Sequence, residues 1–208
     1  MPPKFKFNKS EITEAILSVA RVKGLDNVTA RDAAKALGVS TQPIFTCFAN
    51  MEEAKREALA AAEKIYFDYA EKGLSEKVPF LGFGKAYIRF AKDEPELYKS
   101  LFLSNSSSES GGAVAAMKKS LQKLRPYLMQ IYKITEEEAD IYFRDLWLVV
   151  YSIAALIVNG CCPYSNEEIG RILTEVSVSL CKSIKEIKGF ASGDFDKDEI
   201  FKNLVIKR

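Results

Sequence analysis

Residues 29–50 read Thr-Ala-Arg-Asp-Ala-Ala-Lys-Ala-Leu-Gly-Val-Ser-Thr-Gln-Pro-Ile-Phe-Thr-Cys-Phe-Ala-Asn. The stretch predicts two short helices joined by a glycine turn. Thr29 and Asp32 have the spacing of a capping box, in which each side chain satisfies a backbone N–H that the helix leaves unbonded. Ala33, Ala34 and Leu37 then recur at helical spacing, and Gly38 stands where a left-handed residue ends a helix. Val39 anchors the turn. Ser40 is expected to cap the second helix, whose first turn accepts Pro43 because an N–H there has no partner to lose. Ile44, Phe45 and Phe48 are expected as buried anchors, leaving Thr41, Gln42, Thr46 and Cys47 to face outward. A pair of this shape lays its second helix in the major groove of DNA; without a partner it is an ordinary helical hairpin.

The flanks extend the pattern. Ile12, Ala15, Ile16 and Val19 mark a preceding helix that ends near Gly24. Asn50 and Glu53 form a second capping-box pair at the start of a long Ala-, Glu- and Lys-rich helix reaching about residue 72. Ile12-Thr-Glu-Ala, Gly24-Leu-Asp-Asn-Val-Thr-Ala-Arg-Asp-Ala-Ala-Lys-Ala-Leu-Gly-Val-Ser, Ile44-Phe and Phe48-Ala-Asn-Met-Glu-Glu together resemble the N-terminal domain of TetR-type (TetR/AcrR) transcriptional regulators. The resemblance spans residues 8–60. Beyond it the chain matches in length and helical content, with Pro79-Phe-Leu-Gly-Phe-Gly-Lys-Ala-Tyr-Ile-Arg-Phe-Ala closer to some members than others.

Composition narrows the rest. The chain has 208 residues, 48% of them hydrophobic, and a formal net charge of +2, so it is globular and does not coat nucleic acid indiscriminately. Residues 1–50 hold Lys4, Lys6, Lys9, Arg21, Lys23, Arg31 and Lys35 against Glu11, Glu14, Asp26 and Asp32, a local positive excess suited to phosphates. Lys4 and Lys6 read either as an arm against DNA or as a solvated tail. The sequence has no histidine, the commonest general base and metal ligand. Cys47, Cys161, Cys162 and Cys181 show no paired spacing, and no Gly-rich phosphate loop occurs. These features nominate no catalytic residue, no metal and no cofactor, and they favour a reducing, cytoplasmic setting. The apolar run Leu146–Val158 is too short for a bilayer, which takes about 20 residues, and reads as a buried helix.

No segment alternates like a strand, so the expected fold is all-α. A helix from Pro79 bears Phe83, Tyr87 and Phe90; Asp93-Glu-Pro-Glu starts the next, with Leu97, Tyr98, Leu101 and Phe102. Residues 104–112 are a Ser/Gly-rich loop. Met117, Leu121, Leu124 and Leu128 mark an amphipathic helix bent near Pro126. Thr135 with Glu138 and Ser165 with Glu168 cap two long helices. The expected partition is a helix-turn-helix domain at 1–50, a connecting helix at 51–78, a ligand-binding and dimerisation domain at 79–189, and a tail at 190–208, with a short terminal helix.

The resemblance implies a ligand-responsive, homodimeric DNA-binding regulator, a repressor that binds a palindromic operator and is released by a small hydrophobic or aromatic effector. It implies DNA contacts from Lys4, Lys6, Thr29, Ser40, Thr41, Gln42, Pro43, Phe45 and Thr46. Gln42 and Thr46 can read base edges, and Thr41 a phosphate or a thymine methyl. It implies an effector chamber lined by Phe83, Tyr87, Phe90, Tyr98, Phe102, Met117, Leu121, Trp147 and Tyr151, residues that equally suit a plain core. Dimerisation is expected through residues 136–187, the alternative being that those faces close the monomer's own core. Three positions depart from the family pattern. Phe45 replaces a phosphate-binding Tyr, Cys47 a His or Tyr, and Met51 a Lys. They motivate the alternative of a small-molecule binding protein of the same fold with weak or lost DNA binding.

Overall fold

In a computed structural model, describing residues 7–104 and 112–206, helix boundaries fall where the caps put them. Helix α1 is Lys9–Lys23, opened by a complete Asn8/Glu11 capping box. After a 3-10 turn at Leu25–Asn27, α2 is Ala30–Leu37, with both halves of the Thr29/Asp32 box formed and Gly38 left-handed at φ 70°. Next come α3 at Gln42–Cys47, α4 at Met51–Leu74, α5 at Pro79–Asp93 and α6 at Pro95–Tyr98. A π-helical turn at Lys99–Leu103 continues α6. Then follow α7 at Ala113–Tyr132, α8 at Glu136–Val158, α9 at Asn166–Glu186 and α10 at Lys197–Ile206. The described residues contain no strand, as the all-α expectation requires. Lys4, Lys6 and most of the Ser/Gly-rich loop lie outside the described residues.

The chain forms two compact units, one of residues 1–116 with 150–163, the other of 117–149 with 164–208. In the first, α1 packs on α2 and α4, and α4 packs along α5. Ile12, Ile16, Leu17, Ala20, Ala33, Ile44, Ala54 and Ala58 are fully buried there. Small residues on α4 suit its close packing with α1 and α5. Further along, Gly73 meets Gly82 of α5 so closely that a methyl on Gly73 would lie 2.5 Å from the Gly82 carbonyl oxygen.

In the second unit, Arg125 of α7 grips Asp140 of α8 with two nitrogens at 2.6 and 2.9 Å and Glu136 with a third at 2.6 Å. Such fork-shaped pairs are the strongest kind of charged hydrogen bond. Buried Tyr142 shares a 2.6 Å hydrogen bond with Ser177 of α9 and donates to Tyr132 at 3.3 Å. Thr135/Glu138 and Ser165/Glu168 cap α8 and α9 as expected. Helix α8, at 23 residues, is longer than its apolar run and passes the length and composition test for a bilayer span. Its Ala139, Tyr142, Phe143 and Leu146 are buried within the protein, and its early turns carry the Arg125 ion pairs, so it is a core helix. Within the tail, the rings of Phe190 and Phe195 stack 5.5 Å apart before the short terminal helix α10.

Candidate nucleic-acid interface

The helix-turn-helix motif is built on buried anchors. Ile44 and Phe48 are 0% and 2% exposed; they fix α3 from beneath, and Lys9 rests over the Phe48 ring at 5.1 Å. Gln42 and Thr46, four residues apart, are exposed on the other side, with the Thr46 hydroxyl donating to the Gln42 carbonyl at 3.0 Å. Four of the sequence expectations change here. Phe45 is no anchor: it is 50% exposed and joins Gln42 and Thr46 on the outward side. Cys47 is half-buried and turned inward along the chain, its thiol donating to the Phe7 carbonyl at 3.4 Å. Ser40 does not cap α3. The helix starts at Gln42 with Thr41 at its N-cap, and no side chain caps it. Pro43 removes the N3 N–H that a cap at Ser40 would hold, the Ile44 N–H donates to the Thr41 carbonyl at 3.2 Å, and Ser40 stays exposed. At α4, Asn50 accepts from the Glu53 N–H, but the Glu53 carboxylate takes the Ala49 N–H at 2.7 Å, so the box is shifted by one residue.

Thr29 is committed to structure, accepting from the Asp32 N–H and donating to its carboxylate. Lys23 pairs with the same carboxylate. These partners, Lys23 first, hold the Asp32 carboxyl far below the usual carboxylate range. Lys9 pairs with Glu53 at 3.4 Å, Arg21 with Glu94 at 2.9 Å, and Lys55 donates to the Asp26 carbonyl at 2.7 Å. Arg31 and Lys35 on α2 are exposed and form no ion pair among the described residues. The outward surface thus offers Ser40, Gln42, Phe45 and Thr46, with half-buried Thr41 and Pro43 at its edge and two unengaged cations on the neighbouring helix.

The expected effector residues fall in both units. In the first, Tyr87, Phe90, Tyr98 and Phe102 come together around Tyr66 of α4. Centroids lie 5.7 Å apart for Tyr66–Tyr87, 5.2 Å for Tyr66–Phe102, 5.6 Å for Tyr87–Tyr98 and 4.9 Å for Tyr98–Phe102. Several pairs meet edge to face, an arrangement worth about 0.5–1.5 kcal/mol per pair beyond area burial. Phe83 is buried on the same helix as Tyr87. The Tyr87 hydroxyl donates to Tyr98 at 3.4 Å, and Tyr98 to the Tyr151 carbonyl at 3.5 Å. Burial, foremost, pushes both phenols well above their ordinary value, so they act as neutral hydrogen-bonding groups. Met117, Leu121 and Trp147 belong to the second unit. Tyr66 was missing from the expected set. Its signal is the run Ala58, Ala62, Tyr66, Ala70, one large ring in an otherwise small-residue stripe at i+4 spacing.

The segment carrying Tyr98 and Phe102 also touches the elements that precede the helix-turn-helix motif, the 3-10 turn and α1. Ser100 accepts from the Leu25 N–H at 3.2 Å, and Glu94 accepts from Arg21 Nε with both oxygens, at 3.0 and 2.9 Å. The Glu94 hydrogen bond is the main cause that raises the Arg21 pKa.

No family model and no curated protein sequence matches this chain. Solved structures do. A TetR-family transcriptional regulator from Streptomyces coelicolor is 14% identical, with 99% of this chain and 98% of that one aligned at a TM-score of 0.67. The fatty acid degradation regulator FadR from Bacillus halodurans is 15% identical, over 87% and 97% of the two chains, at 0.60. The TetR-family repressor AlkX from Dietzia sp. strain DQ12-45-1b, implicated in biodegradation of n-alkanes, is 18% identical, over 88% and 99%, at 0.53. From end to end, this chain has the fold of TetR-family transcriptional regulators.

Proposed function

We propose that the protein is a cytoplasmic, ligand-responsive transcriptional repressor that binds a two-fold operator as a homodimer. One observation carries the reading: α3 is pinned by Ile44 and Phe48 while Gln42, Phe45 and Thr46 are left facing solvent. A polar and aromatic surface held rigid with no use inside the protein is what base-edge recognition needs, Gln suiting adenine and an apolar contact suiting a thymine methyl. The dimer reading is supported by apolar side chains left exposed on the last long helices, Val178 at 59% and Leu148 at 49%. Two copies related by a two-fold axis set two recognition helices one DNA turn apart.

The effector would be small and apolar, seated among the aromatic residues of α5 and α6, with Tyr87 and Tyr98 as neutral hydrogen-bonding groups. Neighbours of this fold concerned with fatty acid degradation and n-alkanes agree with that chemistry. A ligand that favours one position of Tyr98 would act on the DNA-reading motif through Ser100 and Glu94, since only a difference in affinity between two states shifts their populations.

The test is fluorescence anisotropy with the DNA upstream of the protein's own reading frame, as a function of salt. Specific binding over scrambled DNA is expected, lost in Gln42→Ala/Thr46→Ala. The dependence on salt should be shallow, because α3 carries no charge and most nearby cations are engaged. Arg31→Ala and Lys35→Ala should each lower the slope by about 0.9. No binding to any duplex at low salt overturns this reading. It would favour the alternative, a small-molecule binding protein of the same fold, which those ion pairs also motivate.

A further inference from the structure

The geometry points to a second ligand site, adjoining the aromatic cluster where Tyr69 meets Phe90 at 5.5 Å but lined by different residues: a cleft between the end of α4 and the middle of α5 that takes a small organic dianion. The Gly73–Gly82 approach brings the two backbones together, and beside that crossing Tyr69, Lys72, Gly73, Glu76, Lys85, Ala86 and Arg89 line a cavity of about 380 Å³. On α4 the lining follows i, i+3 and i+4, with Glu76 in the turn just beyond the helix, and on α5 it follows i, i+1 and i+4, so each helix contributes one face.

The chemistry of that lining is selective. It holds three cations against one carboxylate, Glu76. Lys72 and Lys85 form no ion pair among the described residues. Arg89 is positioned: Asp93 takes its Nε at 3.3 Å and also accepts the Tyr69 hydroxyl at 3.1 Å. One carboxylate outside the cleft therefore orients both the guanidinium and the phenol ring, and the two terminal nitrogens of Arg89 stay uncommitted among the described residues. Counting Asp93, the group is still positive. Three cations brought to one cavity repel one another until an anion enters, and a doubly charged group answers them better than a single carboxylate. The Tyr69 ring, Ala86 and the lysine stems supply an apolar wall for a small body attached to that group. A phosphate monoester and a dicarboxylate share this chemistry.

This site does not depend on DNA binding, and neither does its test. The full chain is titrated calorimetrically with phenyl phosphate, phthalate, inorganic phosphate and benzyl alcohol. Saturable binding is expected for phenyl phosphate, with inorganic phosphate weaker for want of the apolar body and benzyl alcohol silent for want of charge. Lys85→Glu/Arg89→Glu should weaken phenyl phosphate binding by at least about tenfold, whereas Lys85→Arg/Arg89→Lys should keep it and Lys202→Glu on α10 should leave it unchanged. The Arg89 side chain is 76% exposed, so an unchanged melting curve is expected to show that the variant folds. A phthalate response tells dicarboxylates from phosphate esters as the preferred source of the dianion. Absence of saturable binding, equal affinity in the Glu variant, or equal affinity for benzyl alcohol or inorganic phosphate overturns the assignment.

Discussion

Helices α2 and α3 are neighbours in one motif and are held in opposite ways. α2 carries its own start and stop: the Thr29/Asp32 box closes its first turn, Lys23 reinforces the box, and left-handed Gly38 ends it. α3 has six residues, no side-chain cap and no charged residue. A helix that short is unstable alone, so its shape is imposed by Ile44 and Phe48 pressing into the core. The difference teaches how the surface proposed for recognition is held. Residues that would have capped or charged α3 for its own stability are absent, while Gln42 and Thr46 stay exposed. Stability is supplied from beneath, by contacts that no base pair touches.

The largest test of this contrast is Phe48→Ala. Truncating a fully buried aromatic costs about 3–5 kcal/mol, and here the loss should fall on α3. Urea unfolding should show the drop, and operator affinity should collapse with it, although Phe48 is only 2% exposed and cannot reach DNA. A loss below about 1 kcal/mol would mean that α3 is held by local signals after all, and the comparison with α2 would fail.

Next in size is Thr29→Ala, the matching test on α2. Removing an N-cap side chain costs about 0.5–2 kcal/mol. The Thr29 hydroxyl both accepts the Asp32 N–H and donates to its carboxylate, so the value should lie toward the upper part of that range by thermal or urea unfolding. An unchanged midpoint would show that α2, too, is held mainly by packing.

The same contrast explains what could be read from sequence. Helix boundaries at α2, α8 and α9 follow from capping pairs three residues apart, and these formed as the spacing requires; the Asn8/Glu11 box at α1 lies outside the expected pairs. Where the cause is tertiary, local reading misplaces residues. Phe45 looks like an anchor because it is apolar beside Ile44, but α3 has room beneath it for only the Ile44 and Phe48 side. Ser40 looks like a cap because it follows the turn, yet Pro43 removes the N3 N–H and the helix starts one residue later, with Thr41 at its N-cap. The aromatic cluster was legible at Tyr87, Phe90, Tyr98 and Phe102, whereas Tyr66 needed the knowledge that α4 runs beside α5. Pairs such as Arg21–Glu94 and Ser100–Leu25 join residues more than 70 positions apart, and no spacing rule reaches that far.

A subtler probe of α2 is pH. The Lys23 hydrogen bond, then those from Thr29, lower the Asp32 pKa. A carboxylate with a depressed folded pKa stabilises the fold fully above its unfolded value, near 4, and loses that contribution as pH falls toward the folded one. The stability gap between the parent and Asp32→Asn should therefore be constant from about pH 8 to about pH 5 and narrow below about pH 4. A gap that instead narrows between pH 8 and pH 5 would remove Asp32 from the account of how α2 is held.

The smallest expected effect is the sharpest discriminator. Ser40→Ala should change stability by less than about 0.5 kcal/mol, the range of surface substitutions that break nothing, because the Ser40 hydroxyl caps no helix here. Under the proposed function, its exposure beside Gln42 suits a different use, as a hydroxyl that meets a phosphate oxygen. Operator affinity measured on the same variant separates the two roles. Weaker binding with an unchanged unfolding midpoint assigns Ser40 to the partner and leaves α3 locally uncapped. A midpoint that falls by about 1 kcal/mol, the usual cost of losing a cap, would mean that α3 starts one residue earlier in solution and carries a start signal like that of α2, erasing the distinction between the two helices.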